Sequence, residues 1–166
     1  LQVFLSILWT FLLGLAYLYA QLLVMPAIAI AGVIPNILIP WLTYLVWTRS
    51  RNHALILGFV IGIMFDTTHP ETFGMHALLF CLLALAIDAF RKPFETDSVV
   101  AKILTIGIAN LIFSIVEFII FGMSNGFGGK LSLLSLGSFF YNVCISFVVF
   151  WGMQLLSKVR LTIVHD

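Results

Sequence analysis

Charge is the scarcest commodity in this sequence. Asp, Glu, Lys and Arg together make up 9% of its 166 residues, and the formal net charge is +1. That excludes a nucleic-acid partner, because phosphate binding needs a concentrated basic face. Cysteine is nearly absent too. Cys81 and Cys144 both lie within long apolar runs, where a free thiol behaves as a small hydrophobe, so neither a disulfide nor a metal site is expected from them. Also missing are a G-x-S-x-G elbow, a Walker glycine loop and a convincing pair of carboxylates. No catalytic residue and no cofactor is expected, and the chain reads as a non-enzyme. The first apolar run lacks a small-residue cleavage site and is followed by further apolar runs, which argues against a cleaved signal peptide.

What is abundant is apolar side chain. At 62% of residues it exceeds what a single soluble core of this length can cover. The expected class is an all-α integral membrane protein, a six-helix transmembrane bundle forming one domain over residues 1–166, with the lipid bilayer as its main solvent. A hydrocarbon core about 30 Å thick needs roughly 20 helical residues. Residues 2–23, 35–47, 73–90, 99–123 and 133–156 meet or approach that length, and 54–65 is a shorter sixth run. Pro26, Pro35 and Pro40 break the chain after the first run, while Pro70 and Pro93 sit in polar connections. Residues 25–33 read as a short helix or bent loop.

Basic residues set the orientation, because Lys and Arg of short loops stay on the cytoplasmic side. Arg49 and Arg51 follow the second run, Arg91, Lys92 and Lys102 surround the fourth connection, and Lys158 and Arg160 follow the last; Lys130 alone falls opposite. Six spans with both ends cytoplasmic satisfy this pattern, with 91–97 inside and 66–72 and 124–130 outside. Omitting the short run would put Arg49 and Arg91 on opposite sides. Trp47, beside Arg49, suits either an interfacial anchor or internal packing.

The densest polar group is Asp66-Thr-Thr-His69-Pro-Glu71, followed by His76. Its residue types can ligate a divalent ion, yet there is no i, i+4 histidine pair and no cysteine, so an ordered polar turn is the expectation. Asp66 is expected to fix the end of the third helix by accepting hydrogen bonds from nearby backbone, Thr68 or His76. Deeper in the membrane, Asn110, Ser114 and Glu117 follow i, i+4, i+7 spacing on one face of the fifth helix. Ser138, Asn142 and Ser146 repeat every four residues on the sixth, with Glu117 at the depth of Ser138 to Asn142. These stripes suit mutual contact. A carboxylate inside a span is costly and faces protein or a cavity, so Glu117 has two candidate roles, a functional carboxylate or interhelical glue.

Small residues allow helices to approach closely. Ala16 and Ala20 make one small-xxx-small pair, and Gly58 and Gly62 make a GxxxG. Either pair serves packing within the bundle or against another chain, a second copy included. Gly126, Gly128 and Gly129 lie in a loop with no phosphate-binding pattern after them.

The stretch Gly58-Phe59-x-x-Gly62-x-x-x-Asp66, followed by Gly74-x-His76-Ala77-Leu78, resembles the central signature of the rod shape-determining protein MreD family. Length, span number and the Pro35 break agree with it. Asn36 departs from it, standing where the family often has an acidic residue. The resemblance implies a non-enzymatic membrane scaffold of the bacterial cell-elongation complex in the cytoplasmic membrane. It implies binding to the spanning helix of MreC, and through MreC a link to the transpeptidase–RodA wall synthase and to MreB filaments, with Gly58, Phe59, Gly62, Asp66, Gly74 and His76 as partner-binding or structural positions. In fold the family is similar to the substrate-binding subunits of energy-coupling-factor vitamin transporters, which supplies the alternative function.

Overall fold

The computed structural model describes the backbone of residues 2–68, 70–94 and 98–163, and the side chains of 7–68, 70–94, 98–124 and 126–156. His69, the 95–97 part of the fourth connection and the side chains of Lys158 and Arg160 lie outside the described residues. Among the described residues six α-helices follow in order: α1 Gln2–Leu23, α2 Leu38–Thr48, α3 Arg51–Asp66, α4 Met75–Arg91, α5 Val99–Asn125 and α6 Gly129–Ile163. Single 3-10 turns at Met25–Ile28 and Pro70–Thr72 occupy two of the connections, both opened or entered by a proline, which suits a first helical turn.

Helix boundaries differ from the apolar runs in informative ways. α3 extends from Arg51 to Asp66, so its polar first turn is helical too, and the shortest run becomes a helix of about 24 Å at 1.5 Å per residue. α2 starts at Leu38 rather than at Pro35, because Asn36 and Ile37 are spent on ordering the chain before the helix. α6 continues well beyond the apolar run at both ends. Only α5 and α6, among the described residues, are long and apolar enough to cross a membrane by themselves.

α2 is the hub. Eight of its eleven residues are buried, and it packs against α1, α3, α4, α5 and α6. At about 16 Å it is too short for the hydrocarbon thickness and begins inside the bundle. A buried helix start leaves orphan N–H groups that need acceptors, and three amide side chains meet that need. The Asn36 side-chain oxygen accepts from Leu38 N at 3.0 Å, Gln21 Oε1 accepts from Ile37 N at 2.8 Å, and Asn142 Oδ1 accepts from Asn36 N at 2.7 Å. Gln21 Nε2 also donates to the Pro35 carbonyl at 3.1 Å. Asn36 thus performs here a local capping role that an acceptor oxygen of either an amide or a carboxylate can fill.

The core around α2 is aliphatic and aromatic, with Leu38, Leu42, Ile61, Phe80, Leu83 and Phe113 almost fully enclosed. Large apolar side chains also cover the outside: Leu12 and Tyr19 on α1, Ile56 and Phe59 on α3, Leu78 and Leu82 on α4, Ile115 on α5 and Val148 on α6 are all exposed. A soluble surface does not carry so continuous an apolar belt. The alternating helix directions collect Arg49, Arg51, Arg91, Lys92 and Lys102 at one end of the bundle. There the buried Asp88 carboxylate accepts from Arg91 at 2.8 and 3.1 Å and lies 3.6 Å from Lys92. Lys102 stands 5.8 Å over the Trp47 ring. Asp66, Glu71 and Lys130 lie at the opposite end, called below the Asp66 end.

Candidate functional site

The polar turn resolves into a helix cap shared between two helices. Gly74 precedes α4 in the left-handed conformation, φ +88°, which glycine adopts without a Cβ penalty. As the capping residue it has no side chain to accept the first N–H groups of α4. Asp66, the last residue of α3 and fully buried, supplies the missing acceptor from across the hairpin. One carboxylate oxygen accepts from His76 N at 3.2 Å and the other from Ala77 N at 3.1 Å. His76 Nδ1 is 2.7 Å from the first oxygen; facing a carboxylate, it carries the proton and donates. A negative group at the start of α4 also suits the positive end of its dipole.

Packing reinforces this arrangement. The His76 ring meets Phe65 edge-on, centroids 4.7 Å apart at 86°, and sits near Phe80 and Phe113. One turn before Asp66, Gly62 lies against the backbone of α4: a Cβ there would be 2.5 Å from Ala77 Cα and 2.8 Å from its nitrogen. Backbone cannot yield at that spacing, so only glycine fits. Gly58 faces α2, where a Cβ would meet Leu42 at 3.0 Å. Positions 58, 62 and 66 are one face of α3 at four-residue steps, and that whole face is consumed inside the bundle. Of the signature residues Phe59 and Leu78 look outward, 49% and 63% exposed. Both cysteines carry free thiols, Cys81 partly buried and Cys144 exposed. Ala16 of the other small pair is exposed, whereas the contact between α1 and its neighbours runs through Gly14, beside Trp41 and Ile61.

The stripes of α5 and α6 meet at one level only. Asn110 Nδ2 donates to Ser146 Oγ at 3.1 Å, and Ser146 Oγ is placed to return a bond to Asn110 Oδ1 at 3.2 Å. Asn142 turns instead to Asn36 with its oxygen and to Ser138 with its nitrogen. The stripes thus meet at the Asn110–Ser146 level, while the chain leading into α2 captures Asn142. Ser114 Oγ is buried with no hydrogen-bond partner among the described residues, and Glu117, half-buried, has no hydrogen bond or ion pair among them.

Gln21 and Tyr141 were not anticipated. The Tyr141 hydroxyl donates to the Ile28 carbonyl at 2.6 Å and holds the connection after α1 against α6. Gln21 had a signal, being an amide at the end of an otherwise apolar helix; Tyr141 had none that separates it from a lipid-facing aromatic.

No curated protein and no solved structure matches this chain. A family model described as rod shape-determining protein MreD matches residues 1–160 of the 166. An all-helical bundle with an apolar exterior, whose third and fourth helices are locked by the Gly62–Asp66–His76 arrangement, belongs to the MreD family of membrane proteins with a role in rod shape determination.

Proposed function

We propose that this chain is a non-enzymatic scaffold of the bacterial cell-elongation complex, spanning the cytoplasmic membrane six times with both ends in the cytoplasm and gripping the spanning helix of MreC. Through MreC it bears on the transpeptidase–RodA wall synthase and on MreB filaments. The observation that carries this reading is the family match over nearly the whole chain. Its physical support is that the chain has almost no mass outside the apolar bundle, so its contacts with other proteins form mainly within the lipid, where close packing and a few hydrogen bonds drive association. The Arg91 end carries the basic residues and is assigned to the cytoplasm. The architecture is proposed to be that of the substrate-binding subunits of energy-coupling-factor transporters, without their function, since fold does not carry function with it.

The purified protein in nanodiscs is tested for retention of MreC and, separately, for thermal stabilisation by a panel of vitamins, because a ligand selective for the folded state raises stability by mass action. Retention of MreC without vitamin stabilisation is expected. Submicromolar vitamin binding with no MreC association would replace the scaffold by a transporter subunit. Labelling of single cysteines at Ser98 and Ser124 tests the orientation: only the second is expected to react from outside intact cells.

A further inference from the structure

We propose that Ser114 and Glu117 form an acceptor site within the membrane for a hydrogen-bond donor carried by the spanning helix of a partner protein, an inference that rests on the scaffold reading above. Ser114 is 93% enclosed, from its 7% exposure, and its hydroxyl has no partner among the described residues. Glu117 follows three residues later on the same face of α5 and is likewise unanswered. Two adjacent polar groups without partners at lipid depth cost free energy unless something else supplies a donor.

The reason they are unanswered is the length of α2. Antiparallel pairing of Asn110 with Ser146 sets Ser114 level with Asn142, which bonds the backbone of Asn36 just before α2. Beyond that level toward the Asp66 end, α2 no longer covers the inward face of α5 and α6. Exposure along that face of α5 rises accordingly, from 0% at Asn110 through 7% at Ser114 to 54% at Phe121. Glu117 lies between the last two, about 10 Å along α5 from Asn110 and about 12 Å short of the helix end at Asn125. α5 spans about 40 Å, longer than the hydrocarbon core, and Glu117 is set well back from both of its ends. An occupant must reach that depth from within the bilayer.

The chemistry of the surroundings selects the kind of occupant. Phe121, one turn beyond Glu117 on α5, and Leu134, one turn before Ser138 on α6, are apolar and exposed, while Ser114 and Glu117 present acceptor oxygens with no positive group bonded to them among the described residues. A mostly apolar surface with one unpaired carboxylate fits an apolar helix carrying a single donor, Lys, Arg, Asn, Gln, Ser or Thr, at matching depth. A polar solute needs several convergent groups instead. The gain on docking is a donor for one buried and one half-buried polar group that the free protein leaves without one.

The test replaces residue 117 or, as a control, the lipid-facing Ile115 by a photo-crosslinking amino acid in cells expressing MreC of the same organism, and measures MreC retention by the Ser114→Ala/Glu117→Ala double variant in nanodiscs. Crosslinking to MreC from 117 and not from 115 is expected, with retention by the double variant lowered about tenfold, the effect of one to two interhelical hydrogen bonds. Glu117→Gln, which keeps an acceptor oxygen, should retain more MreC than Glu117→Ala and guards against a mere loss of folding. If the wild-type chain holds MreC and the double variant holds it equally well, this inference fails while the scaffold reading stands. Crosslinks from 117 to lipid alone, or from 115 alone, overturn it as well. If the wild-type chain holds no MreC, both fail.

Discussion

The α3–α4 hairpin and the α5–α6 hairpin are built from similarly apolar helices, yet they treat their polar groups in opposite ways. In the first, the buried carboxylate of Asp66 is saturated by donors from His76 and Ala77, and Gly62 lets the two backbones touch. In the second, Asn110 and Ser146 satisfy one another, while Ser114 and Glu117, within two turns, have no partner among the described residues. A polar group in lipid that is fully answered specifies how two helices of the same chain meet. One left unanswered, on a face that its own bundle fails to cover, is free to specify a meeting with another chain.

The largest effect should come from filling the backbone contact. Gly62→Leu drives a side chain into the backbone of Ala77 and is expected to abolish the folded monodisperse protein, read as loss of yield and of a cooperative thermal transition in detergent. A variant with near-native stability would show that α3 and α4 do not meet as described. Next in size is Asp66→Ala. It removes the acceptor of three buried donors and is expected to cost about 2–4 kcal/mol of stability, whereas Asp66→Asn, which keeps one acceptor oxygen, should cost less. Equal behaviour of the two would detach stability from the cap. Asn142→Leu, which takes the acceptor from the Asn36 N–H at the start of α2 and the donor from Ser138, is expected to cost about 1–2 kcal/mol, measured by the same thermal shift. The smallest effect belongs to Ser114→Ala, which deletes an unpartnered buried hydroxyl and should leave stability unchanged or raise it by under about 1 kcal/mol. A clear loss would mean that the hydroxyl has a partner within the chain.

These contrasts also mark how far the sequence could be read. Hydropathy runs sufficed for all six helices, because an apolar segment of a dozen or more residues has few alternatives to helix. Their ends were less legible: α3 takes in Arg51, Asn52 and His53, polar residues that hydropathy places in a loop. Four-residue spacing identified Gly58 and Gly62 as a packing pair, and the bond from His76 to Asp66 lay within the expectation for that turn. Which partner a stripe selects was beyond the spacing. Asn142 looked across at α5 on a helical wheel, but its oxygen goes to Asn36, more than a hundred residues earlier in the chain, and only the packing of the short α2 against α6 brings them together. The same packing isolates Ser114 and Glu117, so a stripe that reads as uniform along the helix divides into an answered and an unanswered half.

Asp66 holds this fold together and Glu117 does not. The most direct measurement is the thermal stability of Asp66→Ala and Glu117→Ala in the same detergent, each purified without any partner. A markedly lowered transition for Asp66→Ala and an unchanged or raised one for Glu117→Ala are expected. A destabilised Glu117→Ala beside an intact Asp66→Ala would contradict this.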